Sequence, residues 1–383
     1  MDRIRLGLIG TGHFVQKSHL PALAALADQV VIVAVCSEHG ASAAAVSAAL
    51  PNRPAVEHDY RALLARPDLD AVSVAVPIHR TYPIVREALL AGKPVISEKP
   101  IAETVAQAAD LLQLAAVRGV LHLVAENVRH QSRFLTLRQL LVAGRVGQPI
   151  AYELQFVSPL RPGNPYLASV WRRESHHRGG WLLDSGVHAT AALRLLSGTE
   201  AIAVEAVTLS TDPDRYGHQP DTLWATFLLA DGTVARLGLS VALASPWTNI
   251  GWVFGRAGTL ALYQQPQHQP GGPRYREWVE VFSAGGEPPE TLPLPDRGNG
   301  VREVFAEFLA ALTSGQPARC TAAEAARDLQ LIDAALAAAE RGGRLAIPRA
   351  LAAPWRTEVR GAAAGGGTRL SAALDDSRAS TGP

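Results

Sequence analysis

The chain is short of lysine. Of its 36 basic residues only Lys17, Lys93 and Lys99 are lysines, and arginine fills the other positions. Arginine serves wherever positive charge alone is wanted, but its pKa above about 12 bars it from releasing a proton. Cysteine is scarcer still. Cys36 and Cys320 are the two in 383 residues. They exclude a disulfide framework and a cysteine-rich zinc site, and they predict a reducing, cytoplasmic setting. Charge of one sign is also lacking: 36 basic against 35 acidic side chains leave a formal charge of +1. Neither nucleic acid nor an anionic membrane is therefore expected as a partner. No stretch approaches about 18 uncharged apolar residues, so no membrane span is expected. The N-terminus enters a strand-like run at Ile4 without an apolar leader.

What is present is a large apolar fraction, 48%, ample for a buried core. The length suggests two domains and a tail. Residues 4–9 read as a strand and run into Gly10-Thr11-Gly12-His13-Phe14-Val15, followed by an apolar-periodic helix through Leu20, Leu23 and Leu26. In such a strand–turn–helix, one glycine permits the tight turn and a second lets backbone approach a pyrophosphate at the helix start. Val15 stands where the usual third glycine would be, so the match is partial. Strands are expected at 30–36, 69–76, 94–97 and 120–125, with helices at 82–90 and 104–118 between them. This alternation indicates a parallel, doubly wound sheet. Gly10, Ser37, Pro77, Lys99 and Asn127 follow its strands and should line one edge, where ligands bind in open α/β sheets. At the end of the second strand Ser37 takes the place of a ribose-binding acid and Glu38 follows one residue late, which leaves NAD against NADP open.

From about residue 150 the pattern alternates. Strands are expected at 150–157, 201–210, 221–229, 233–241, 248–254, 259–263 and 278–282, a largely antiparallel sheet, with loops at 264–273 and 284–300. Helices follow at 301–314 and 322–341. The expected domains are 1–127 for dinucleotide binding and 128–351 for substrate and oligomerisation, with 352–383, rich in Ala, Gly and Ser, as a disordered tail.

Two clusters carry chemistry. Lys99 ends the apolar run 94–97, where burial or a neighbouring charge could tune it for acid–base work; a lysine lying along the surface is the alternative. The second cluster is Trp171-Arg172-Arg173-Glu174-Ser175-His176-His177-Arg178-Gly179-Gly180, leading into a helix from Trp181 to Leu196. Asp184 and His188 lie four apart on that helix and share a face, so Asp184 is expected beside the His188 imidazole, orienting it; an ordinary helix pair is the alternative. The His176-His177 pair has no carboxylate or cysteine at metal spacing, so no metal is expected.

The motif Gly10-Thr11-Gly12-His13-Phe14, the run Ala91-Gly92-Lys93-Pro94 leading to Glu98-Lys99-Pro100, and Gly179-Gly180 with Asp184, Gly186 and His188 resemble the glucose–fructose oxidoreductase / inositol dehydrogenase / MocA family over residues 3–350. The resemblance implies an N-terminal Rossmann sheet, a C-terminal domain with a large, mostly antiparallel sheet flanked by helices, and oxidation or reduction of a sugar, cyclitol or polyol with NAD or NADP. It implies that Lys99 and His188 flank substrate and nicotinamide with Asp184 beside them. By the same resemblance the Lys99–Pro100 bond is cis. Gly10, Thr11, Gly12, His13, Phe14, Ser37, Glu38, Pro77, His79, Glu98, Lys99 and Asn127 fall on the cofactor side, and Trp171 and Arg172 reach cofactor or substrate. It also implies a homodimer or homotetramer through the C-terminal sheet. Ala192 departs from the acid found in many members. A catalytically silent NAD(P)-sensing regulator, or a redox-neutral glycosidase holding NAD tightly, would carry the same fold.

Overall fold

Strand β1, Ile4–Ile9, is buried over its last four residues, the pattern of a strand covered on both faces. It pairs in parallel with β2, Val30–Cys36, and with β4, Ala71–Val74. The sheet adds β3, Ala55–Glu57, β5, Val95–Ser97, and β6, His122–Val124, in the order β3-β2-β1-β4-β5-β6. Every pairing is parallel, so the strands end on a common edge and the order reverses between β1 and β4. The computed structural model describes residues 3–38, 40–244, 249–267, 274–295, 298–349 and 351; the expected tail at 352–383 lies outside them.

Local chemistry sets the helices between these strands. Thr104 caps Val105–Arg118 by accepting from the Gln107 N–H at 3.2 Å, and Gly119 ends it in the left-handed region. Helix Ile78–Leu90 begins earlier than the expected 82. The helix after β1 contains a π turn, Val15–His19, before Leu20–Ala24. Gly40–Ala49, Tyr60–Leu64 and Ser132–Val142 are helices that the periodicity did not reveal.

The second sheet has nine strands: β7, Pro149–Val157; β8, Ala201–Leu209; β9, Thr222–Leu229; β10, Val234–Ser240; β11, Asn249–Gly255; β12, Gly258–Gln267; β13, Arg274–Ser283; β14, Glu290–Pro293; and β15, Leu345–Ala346. Their order is β14-β13-β12-β11-β7-β10-β9-β8-β15. All pairs are antiparallel except β7 with β10. Two expected loops are corrected. Gln264 to Gln267 continue β12, pairing with Glu277 to Arg274, and β14 lies within 284–300. Within that continuation Pro266 pairs with Tyr275 of β13. Residues 268–273 and 296–297 of those stretches lie outside the described residues.

Helices Trp181–Ser197 and Ala322–Arg341 pack on each other, the first also against β7 and β10, the second against β8. They approach closely at Gly186, where an added Cβ would stand 2.6 Å from Ile332 Cδ1. Ala322–Arg341 also touches Val105–Arg118, and the largest apolar cluster spans both sheets, from Ile9 through Leu183 to Ile347. No helix among the described residues is long and apolar enough to cross a membrane.

Candidate active site

The edge where β1, β4, β5 and β6 end opens onto a cavity of about 530 Å³, closed on its other side by helix Trp181–Ser197 and the segment 158–172. At its mouth is the glycine turn. Gly10 has φ +99°, and a Cβ there would stand 2.0 Å from the Ala75 carbonyl oxygen, so only glycine fits. Gly12 is the reverse case: an added Cβ would meet nothing within 4 Å. The backbone there borders open space, a cradle that a side chain would fill, and it fits the pyrophosphate of a dinucleotide.

The expected residues divide by position. Gly12, His13, Phe14, Pro77, Glu98, Lys99, Asn127, Trp171, Arg172, Asp184 and His188 line the cavity. Gly10 shapes the turn behind it. Thr11 is buried, with its hydroxyl 2.7 Å from Ser42 Oγ, which lies 2.8 Å from Ser37 Oγ. Glu38 accepts from Arg80 Nη1 at 3.3 Å. Arg80 comes from helix Ile78–Leu90, so a cation reaches the end of β2 although none follows Ser37 in sequence. His79 is exposed on the same helix and does not line the cavity.

Lys99 stands two residues beyond β5, and the Lys99–Pro100 peptide bond is cis. Its Nζ donates to the backbone oxygen and to Oδ1 of Asp184, both at 2.8 Å. Arg172 Nε donates to Asp184 Oδ2 at 2.9 Å. Its guanidinium lies over the rings of Trp171, Tyr166 and Trp181, 4.0, 4.9 and 5.8 Å from their centroids. Burial opposes the Asp184 charge, but the two cations outweigh it and hold the carboxyl well below the usual carboxylate range.

The expected Asp184–His188 pair does not form. The two residues do share a helical face, but each is claimed by a stronger partner from another element. Asp184 is taken by Lys99 and Arg172. His188 Nδ1 lies 2.7 Å from Oε1 of Glu126, two residues beyond β6. Glu126 is 2% exposed, and its Oε1 also accepts from the Val128 N–H at 3.1 Å. Burial pushes its carboxyl up, but the nearby His188, the hydrogen bonds and the Lys99 charge bring it below the usual value. A second buried pair supports the Lys99 loop. His19 Nε2, from the π turn, lies 2.7 Å from Glu98 Oε1, and Glu98 Oε2 accepts from the Lys99 N–H at 3.2 Å. His19 and Glu126 are site residues that no motif in the sequence marks. The one usable signal was for Glu126: it is the acid at the end of β6, adjacent to Asn127.

Residues 4–126 match the profile of an oxidoreductase family with an NAD-binding Rossmann fold. Residues 134–261 match the GFO/IDH/MocA C-terminal domain. The chain is similar to dTDP-3,4-didehydro-2,6-dideoxy-alpha-D-glucose 3-reductase of Streptomyces violaceoruber, with 32% identity over 346 residues covering 88% of this chain and 95% of the relative. An oxidoreductase of Thermotoga maritima superposes with a TM-score of 0.80 at 28% identity, covering 90% of this chain and 99% of that one. The 3-ketoreductase KijD10 of Actinomadura kijaniata, solved with NADP and TDP-benzene, gives a TM-score of 0.75 at 25% identity, covering 88% and 98%.

Proposed function

The chain belongs to the GFO/IDH/MocA family of NAD(P)-dependent oxidoreductases, and on that basis we propose that it interconverts a secondary alcohol and a carbonyl on a sugar, cyclitol or related polyol. Relatives named as 3-reductases of a dTDP-linked deoxyglucose support a sugar-like substrate. The observation that carries the reading is the meeting of Lys99, from the end of β5, with Asp184 and His188 of helix Trp181–Ser197 in one cavity that the Gly12 turn borders.

Residues 1–127 hold the cofactor and 128–351 shape the substrate pocket. The 10–14 turn takes the pyrophosphate; Ser37 and Glu38 face the adenosine ribose; Pro77, Glu98 and Asn127 border the nicotinamide end. Bound NAD or NADP supplies the redox partner, giving or taking a hydride. Lys99 and His188 hold the substrate oxygen and its proton. Asp184 keeps Lys99 in place through two hydrogen bonds. Trp171 and Tyr166 offer aromatic walls to the C–H face of a sugar.

The test is a panel of ketoses, aldoses, inososes and polyols read at 340 nm with each cofactor. We expect turnover of at least one member. Cofactor binding without turnover of any member would refute the oxidoreductase reading and favour a silent NAD(P) sensor. As a control, Gly12→Val should weaken cofactor binding by about 100-fold or more with little change in the unfolding midpoint, since the added Cβ would enter the cradle with no protein atom within 4 Å.

An oligomer through the second sheet is supported by the face of that sheet opposite the core. There Trp252, Tyr263 and Trp278 lie in a row, with ring centroids 6.5 and 5.2 Å apart, and Phe254 is exposed beside them. Light scattering should give at least a dimer's mass at micromolar concentration; a monomer's mass would refute it.

A further inference from the structure

We propose that Glu126 is the positioning residue of this active site: its bond to His188 Nδ1 fixes the imidazole with Nδ1 protonated and Nε2 bare toward the cavity. His188 then takes and returns the substrate hydroxyl proton, and Lys99 holds the oxygen. The assignment of chemistry rests on the oxidoreductase reading; the assignment of tautomer rests on the contact geometry and on the charge of the Glu126 carboxylate.

An ionised carboxylate only accepts hydrogen bonds. With Glu126 Oε1 at 2.7 Å from His188 Nδ1, Nδ1 must carry the proton, and the other ring nitrogen has a free lone pair. Glu126 is well placed to impose this. Its Oε1 is held by the Val128 N–H at 3.1 Å, and its backbone is anchored where its carbonyl oxygen accepts from Cys320 Sγ at 3.4 Å. Among the described residues its Oε2 has no hydrogen-bond partner although it is fully buried. Such an atom is costly to keep. Its effect is a fixed negative charge behind the imidazole, which favours the positive ring that forms on proton uptake.

Lys99 is already committed elsewhere. An ammonium has three N–H donors, and two of them go to Asp184. The third can hold the substrate oxygen and offset its developing charge. In the oxidation direction, the hydroxyl proton passes to His188 Nε2 and the O–H electron pair closes the C=O bond. A bound oxidised NAD or NADP would accept the carbon's hydride, so no further reactant is needed. Among the described residues, Glu98, Lys99, Arg172 and Asp184 are the charged groups that line the cavity with His188, and Glu126 lies against its Nδ1.

Spectroscopy of protein labelled with 15N-histidine tests the tautomer without any substrate, with the His188 signals assigned by their loss in His188→Asn. Above the range where histidines are charged, we expect protonated Nδ1 and unprotonated Nε2. An Nε2-protonated or averaging ring overturns the proposal, whatever the enzyme turns over. Glu126→Gln keeps the side chain's shape and removes its charge. It should lower kcat by about 10- to 100-fold, with KM and cofactor affinity within about twofold and an unfolding midpoint near that of the unmodified chain. An unchanged kcat, or a kcat loss that only follows a lowered midpoint, overturns the proposal. If Glu126→Gln does not fold, the spectrum of the unmodified protein decides alone. The expected tautomer in a protein that turns over no panel member would instead refute the oxidoreductase reading.

Discussion

Lys99→Met lowers turnover by about two orders of magnitude or more and leaves cofactor affinity within about twofold; this is the expected result with the largest kinetic effect. Methionine fills the space of the lysine stem without the ammonium. The two bonds from Nζ to Asp184 disappear, and with them the remaining N–H that would hold the substrate oxygen. The transition state loses more than the ground state, because charge on that oxygen grows as the reaction proceeds. The Gly12 cradle, at the other end of the cleft, is untouched. Steady-state kinetics together with cofactor titration by protein fluorescence separate the two quantities. Full activity would remove Lys99 from the mechanism.

Asp184→Asn is expected to cost about 3 kcal/mol of stability near neutral pH. The Asp184 side chain is 12% exposed and faces Lys99 and Arg172, each 17% exposed. Removing the one charge leaves two largely buried cations together without their counter-charge. The sign with pH follows from the depressed carboxyl. Its contribution is complete above the ordinary carboxylate pKa of about 4 and is lost as pH falls through the folded value. The gap between the unmodified chain and the variant should therefore be full at neutral pH and shrink on acidification below about pH 4. Denaturant unfolding at several pH values measures it. Equal midpoints at neutral pH would show that the three charges are not coupled. Activity should fall as well, since Lys99 loses its anchor.

Some of the site was legible because it depends on short-range backbone requirements. Gly10 declares itself through a turn that no Cβ could enter. Lys99 stands out because arginine replaces lysine almost everywhere else, and the short buried strand before it places it at a sheet edge. Helices Val301–Ser314 and Ala322–Arg341 have the expected bounds, since their apolar spacing is long and regular. The polar continuation of β12 was not legible. Its pairing rests on ladder bonds to Arg274–Ser283 rather than on alternating apolar side chains.

Partner choice was illegible for a different reason. Helical spacing correctly puts Asp184 and His188 on one face, but a neighbour four residues along competes with groups brought in from far away. A buried carboxylate between two cations, and an imidazole against a buried acid, are stronger pairings than a helix pair of a few tenths of a kcal/mol. Arg80 reaching Glu38 across 42 positions is a further case. By itself the sequence determined the two sheets, the glycine turn and which side chains carry chemistry, because these follow from local periodicity and residue type. Only the tertiary structure decided that Lys99 holds Asp184 and that Glu126 stands behind His188, because charges are paired by distance in space and by exclusion of water, neither of which is written along the chain.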